Sequence, residues 1–170
     1  MAREDFELGS ATPDEAAAVS QVLQEAARWI TTWRSQLWDP ALLGEDFVAP
    51  FIARGEMLTL RTGGEIAGVM ILELEDPLFW PDRPPGEAAY VHKLAVRRAQ
   101  AGQGLAAALL EHGAELTRAR GRHLLRLDCH PDLAGYYTSL GFRPVDERDV
   151  RHPEVGQIRV ARMERRLDPA

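Results

Sequence analysis

The sequence predicts an α/β protein built on a mixed sheet, and three observations carry that expectation. Residues 89–129 read as strand, glycine-bearing loop, helix and strand in succession, a βαβ unit whose crossover helix implies two parallel strands. Residues 57–61 and 66–75 are apolar runs around Thr62-Gly63-Gly64-Glu65, the pattern of an antiparallel hairpin with a glycine turn. Near the C-terminus, Ile158, Val160 and Met163 are interleaved with polar neighbours, as in a half-buried strand. At 170 residues, one domain spanning 1–170 is expected, long enough to bury a core without covalent staples.

Each element has its own local reason. Residues 6–8 read as a short first strand, and Thr12-Pro13-Asp14-Glu15 follows as an N-cap, a first-turn proline and a capping-box glutamate. Val19, Val22, Leu23, Ala26, Ala27 and Ile30 recur at helical spacing, which carries the first helix to about Trp33. A shorter helix spans 47–54, and after the hairpin the proline-rich stretch 76–86 makes a long loop. Within the βαβ unit the first strand covers 89–96, the loop 97–103, the helix 104–120 and the second strand 123–129, with Gly121 at the turn. A helix beginning at Pro131 or Asp132 should stop where Gly141 supplies a left-handed residue just past its end. Val145 and then residues 157–167 mark terminal strands.

The formal net charge of −6 argues against non-specific nucleic-acid binding, but the charge is segregated along the chain. Residues 1–89, 90–126 and 127–170 carry nets of −10, +5 and −1. A basic island around the glycine loop suits a bound polyanion, and an acidic N-terminal half suits a cationic partner. Arg118, Arg120, Arg122 and Arg126 read either as part of that anion surface or as a solvated helix end and strand edge. Cys129 is the sole cysteine, so neither an intrachain disulfide nor a thiolate cluster for zinc can form, and a reducing, cytoplasmic setting is expected. No apolar run approaches the roughly 20 residues of a bilayer-crossing helix, and the acidic start MAREDFELGS lacks a secretory hydrophobic segment. Neither nucleic acid nor membrane is expected as a partner.

The chemistry concentrates in VHKLAVRRAQAGQG, residues 91–104. Gly102 and Gly104 let the backbone approach an anion, and the helix that follows adds the positive end of its dipole, so a diphosphate-bearing cofactor is the first expectation. Gly102-x-Gly104-x-x-Ala107 also satisfies a dinucleotide fingerprint, with Asp128 as ribose ligand. That NAD(P) oxidoreductase reading is weakened because residues 97–101 separate strand from glycine and Asp128 lies 26 residues after Gly102 rather than about 20.

HKLAV at 92–96, AQAGQG at 99–104 and YTSLGF at 137–142, in that order, resemble the GNAT superfamily of acetyl-coenzyme-A-dependent N-acetyltransferases. The resemblance implies a GNAT-like mixed sheet of six or seven strands flanked by helices on both faces, and splayed in the middle through a bulge near Leu94. It implies acetyl-CoA as cofactor, no metal, and acetyl transfer to a primary amine, read here as that of a small molecule, by direct attack in a ternary complex. Leu94, Ala95 and Val96 would offer main-chain groups to the pantetheine arm. Gln100, Ala101, Gly102, Gln103, Gly104, Leu105 and Ala106 would wrap the pyrophosphate. Ala99 stands where the family carries Gln or Arg, and Arg97, Arg98 or Gln100 are the neighbours that would compensate.

By the same resemblance Tyr137 is the general acid that protonates the coenzyme A sulfur, besides contacting the cofactor. Its other reading is structural, a ring stapled on Phe142 at the helix end. His92, two residues before Leu94 and sharing a strand face with Tyr90, is the candidate base; Glu73, Glu75 and water are its rivals. Lys93 is expected on the opposite face. Tyr136 reads as core or pocket wall. Trp29, Trp33, Trp38, Phe79 and Trp80 read as an aromatic wall for a cationic amine or as core. Asp128, Cys129 and His130 alternate in direction along a strand, which discounts a metal site or a cysteine nucleophile. Terminal strands offer a route to a homodimer. The rival from another class is a non-catalytic acyl-CoA-binding module.

Overall fold

The computed structural model describes residues 5–31 and 38–169, so the predicted helix end at Trp33 lies outside the described residues. They form β1 (Phe6–Ser10), α1 (Ala16–Thr31), α2 (Glu45–Ala53), β2 (Met57–Thr62), β3 (Glu65–Glu73), β4 (Ala88–Val96), α3 (Leu105–Ala119), β5 (Leu124–Cys129), α4 (Ala134–Ser139), β6 (Arg143–His152) and β7 (Gly156–Arg166). The strands make a seven-stranded sheet in the order β1-β2-β3-β4-β5-β7-β6. β4 and β5 are parallel, as the crossover helix requires, while β1/β2, β2/β3, β5/β7 and β6/β7 are antiparallel. The sheet is therefore mixed. The chain divides into two compact units, Met1–Leu72 with Lys93–His112, and Glu73–His92 with Gly113–Ala170, and β4 and α3 each run from one into the other.

In the first unit, the Thr12 amide donates to Glu15 Oε1 at 3.0 Å, closing the predicted capping box. The apolar stripe of α1 (Val19, Val22, Leu23, Ala27) is wholly buried with Val48, Met57, Val69 and Ile71. β3 is buried continuously from Ile66 to Leu72, so both of its faces are covered and it reads as an apolar run instead of alternating. Gly68 interrupts that run for a steric reason. A Cβ there would meet Leu109 Cδ1 at 3.0 Å and the Ala95 carbonyl at 3.3 Å, so only glycine lets α3 and the end of β4 close on β3.

In the second unit, the parallel ladder runs from Ala88↔Leu124 to Val91↔Leu127. β6 is the element that sequence patterning catches only at Val145. Its RPVDERDVRH is charged because it is an edge strand, and its ladder with β7 slips between Pro144 and Asp146. Three arginines of the basic island, Arg118, Arg122 and Arg126, are tied into the fold. Arg126, 2% exposed, donates to Glu164, Glu87 and Tyr90 Oη. Arg122 donates to the carbonyls of Leu74 and Ala88, and Arg118 to that of Asp168. Burial demanded partners for the Arg126 charge, and those partners are inside the fold.

Candidate active site

The glycine loop is built from the end of β4. The Arg97 amide donates to the Ala67 carbonyl at 2.8 Å, the chain makes one tight turn over Arg98–Gln100, and Gly102 and Gly104 then take φ of 81° and 79° before α3 begins. Ala99 is exposed on this turn. The ordering role that a longer side chain there would have is filled by its neighbours. Gln100 Nε2 donates to Thr62 Oγ1 at 2.7 Å and Arg97 Nε to the Ile66 carbonyl at 2.8 Å. The Arg98 amide donates to Glu25 Oε1 at 2.7 Å, and its guanidinium lies 3.7 Å over the Trp29 ring. The loop is thus tied to α1, β2 and β3 by three side chains.

Its fit to a diphosphate can be tested on the glycines. A Cβ added at Gly102 or Gly104 meets nothing within 4 Å, so both residues are glycines for the sake of backbone conformation and of the open space above them. Gln103 is exposed, Ala106 half-buried, and Leu105 buried. Leu94 and Val96 are half-buried and Ala95 buried; the predicted cofactor contacts 94–96 and 100–106 belong to the first unit, and Tyr137, the remaining one, to the second.

Lys93 has φ 51°, the one non-glycine residue with positive φ among those described. This residue marks a local kink in β4, one position before Leu94. The Lys93 ammonium rests 4.9 Å from the centre of the Trp38 ring.

Tyr137 sits at the end of α4, where the predicted helix stop is realised in full. Gly141 takes φ 92°, the Phe142 amide donates to the Tyr137 carbonyl at 3.1 Å, and the Gly141 amide to the Thr138 carbonyl at 3.1 Å. The Tyr137 and Phe142 rings meet edge-on with centres 6.0 Å apart. The staple is therefore real, and it fixes a phenol whose proton is firmly held. Burial first, then the charges of Cys129, Tyr136 and Asp128, push Tyr137 well above the ordinary tyrosine range. Tyr136 is 47% exposed, which excludes the core and leaves the reading as pocket wall. Burial, with Asp128 beside it, pushes the Cys129 thiol up to about 12, which leaves no thiolate nucleophile at neutral pH.

His92 lies among carboxylates of the same unit. Its Nε2 is 3.3 Å from Asp76 Oδ2 and its Nδ1 is 3.9 Å from Asp128 Oδ1, with the Phe79 ring centre 6.5 Å from its own. Asp76 Oδ1 accepts the Phe79 amide at 3.0 Å, whereas Oδ2 is buried and makes no aligned hydrogen bond. Asp128 thus neighbours both catalytic candidates, His92 and Tyr137. The loop bearing Asp76 and Phe79 is pinned by Arg162, fully buried, whose five donors reach Asp146, Asp82 and the Phe79 carbonyl at 2.6–3.2 Å. Trp80 is 2% exposed, with Arg162 4.4 Å and Arg126 5.1 Å from its ring centre, and belongs to the core. Of the other aromatic candidates, Trp29 carries Arg98 and Trp33 lies outside the described residues.

Glu75 is more than half exposed and faces Arg122 at 3.5 Å. Sequence reading missed Asp76, which stands in a proline-rich loop with no periodicity. It weighed Asp128 only as a ribose or metal ligand, because its closeness to His92 follows from the β4–β5 register, Val91 against Leu127, which spacing does not reveal.

A profile of the Acetyltransferase (GNAT) family matches residues 21–142, and the chain belongs to that family. By family the molecule is an acyltransferase. It is 31% identical over 144 residues to an uncharacterized N-acetyltransferase of Bacillus subtilis (strain 168), YesJ, covering 76% of this chain and 77% of that one. Its fold matches a GNAT-family acetyltransferase of Listeria monocytogenes 4b F2365 with TM-score 0.75 at 23% identity, over 95% of both chains. It also matches the paia N-acetyltransferase of Thermoplasma acidophilum in complex with coenzyme A, with TM-score 0.74 at 13% identity, over 95% of this chain and 99% of that one. Among the described residues no helix is long and apolar enough to cross a membrane.

Proposed function

We propose that this chain transfers the acetyl group of acetyl-CoA to the primary amine of a small molecule, by direct attack in a ternary complex, and does so in the cytoplasm as a single functional domain. The observation that carries the reading is the glycine loop, left-handed at Gly102 and Gly104 and open above both, at the start of a 15-residue helix. Its backbone amides from Gln100 to Ala106 would hold the cofactor's diphosphate, and the main chain of Leu94, Ala95 and Val96 its pantetheine arm. Bound acetyl-CoA supplies an activated thioester. The remaining work belongs to two side chains. Tyr137 keeps its proton on Oη at neutral pH, held there by burial, and delivers it to the departing sulfur. His92 takes a proton from the incoming ammonium. The carboxylates of Asp76 and Asp128 beside His92 support a cationic acceptor over an acidic one.

The test is a coenzyme A release screen over primary amines, followed by Tyr137→Phe with the best of them. The expected outcome is turnover reduced about 10²-fold with acetyl-CoA affinity retained. Acetyl-CoA binding with no turnover on any amine would make the chain a binding module instead.

A further inference from the structure

Arg97 and Arg98, the residues through which β4 passes into the glycine loop, are held by two other elements of the first unit. From β3, the carbonyls of Ala67 and Ile66 accept the Arg97 amide and Nε, each at 2.8 Å. From α1, Glu25 Oε1 accepts the Arg98 amide at 2.7 Å, and Glu25 Oε2 lies 3.5 Å from Arg97 Nη1. The Arg98 guanidinium lies 3.7 Å from the centre of the Trp29 ring. Glu25 and Trp29 stand at i and i+4 in α1, so one face of that helix takes both the backbone and the side chain of Arg98.

That face supplies what the local sequence lacks. The turn over Arg98–Gln100 leaves its first amide, that of Arg98, without a carbonyl inside the turn. Neither neighbouring side chain can offer an acceptor, since Arg97 carries donors only and Ala99 has no polar group. A carboxylate 73 residues away in sequence meets the need. Its effect reaches the cofactor through the backbone. Amides that wander among conformers must be ordered when an anion arrives, which lowers affinity. By bonding the Arg98 amide and pairing with Arg97, Glu25 fixes the direction in which the chain leaves β4, and the segment leading to Gly102 inherits that direction.

We propose that Glu25 is a positioning residue for the cofactor: by holding Arg97 and Arg98 against α1, it presents the amides from Gln100 to Ala106 to the diphosphate before acetyl-CoA arrives. This rests on the reading of the loop as the diphosphate site. The sign of the effect separates positioning from charge. By charge alone a carboxylate opposes a nearby diphosphate, so its removal would tighten binding. Positioning requires that removal weaken it.

The experiment is titration of the full chain with acetyl-CoA by calorimetry, and with S-acetylpantetheine, a thioester with the same arm but no diphosphate, by NMR. Glu25→Ala should raise Kd for acetyl-CoA about ten-fold and leave Kd for S-acetylpantetheine unchanged. Glu25→Gln keeps an oxygen for the Arg98 amide and loses only the charge pair with Arg97, so its Kd for acetyl-CoA should stay within about three-fold of the unsubstituted chain. In hydrogen exchange the Arg98 amide should be protected in the unsubstituted chain and in Glu25→Gln, and exchange freely in Glu25→Ala. Equal or tighter acetyl-CoA binding by Glu25→Ala overturns the proposal, and so does an equal loss for both ligands, which a merely structural role would produce. An unsubstituted chain that binds acetyl-CoA no better than S-acetylpantetheine would sink the diphosphate site itself, and this proposal with it.

Discussion

Alanine at Gly102 or Gly104 separates backbone strain from cofactor binding. Both residues take left-handed φ, 81° and 79°, where a Cβ costs roughly 1–2 kcal/mol. Nothing lies within 4 Å of a Cβ built at either, so strain is the whole cost and no clash adds to it. Each variant should therefore lose about 1–2 kcal/mol of stability, a Tm fall of roughly 2–8 °C in a chain of this size. Gly121, with φ 72° and equally open surroundings, supplies the control, and Gly121→Ala should show the same loss in thermal melts. The variants part company in calorimetric titration with acetyl-CoA. A methyl group at 102 or 104 stands where the backbone must approach the diphosphate, so Kd should rise about 10-fold or more, equivalent to ~1.4 kcal/mol. Gly121→Ala should leave Kd unchanged. Equal affinity in all three variants would refute the placement of the diphosphate on this loop.

Two further outcomes test the fold that carries the site. Gly68→Ala puts a Cβ 3.0 Å from Leu109 Cδ1 and 3.3 Å from the Ala95 carbonyl, and should cost about 1–3 kcal/mol in urea unfolding. Glu15, held by the Arg61 guanidinium, titrates at about 2 in the folded chain against an ordinary 4.5. The folded state binds fewer protons in that window, so the pair's contribution is complete above about 4.5 and is lost as pH falls toward 2. With side chains 19% and 22% exposed, solvent screening leaves about 1–2 kcal/mol. Glu15→Gln should lose that amount at neutral pH and converge with the unsubstituted chain in urea melts near the acid limit.

What could be read from the chain was what local chemistry dictates. The α1 stripe, the Thr12 cap and the Gly141 stop each rest on residues within one or two turns of each other, and each was found as expected. The βαβ unit was legible because a glycine loop between an apolar strand and an alanine-rich helix admits few other readings. β6 was not legible, since an edge strand need not alternate and this one carries charge almost throughout. The partners of Arg122 and Arg126 were hidden for a related reason. Sequence shows a positive run but not that Glu164, Glu87 and two carbonyls are folded around it. Asp76 and the Lys93 kink were hidden because each depends on contacts formed only after the chain has folded back on itself.

The most direct test of the central claim is a crystal structure of the chain with acetyl-CoA. Diphosphate oxygens should lie about 3 Å from backbone amide nitrogens between Gly102 and Ala106, with both glycines still left-handed. Acetyl-CoA bound with its diphosphate anywhere else, or a loop that refolds to exclude it, would contradict the account.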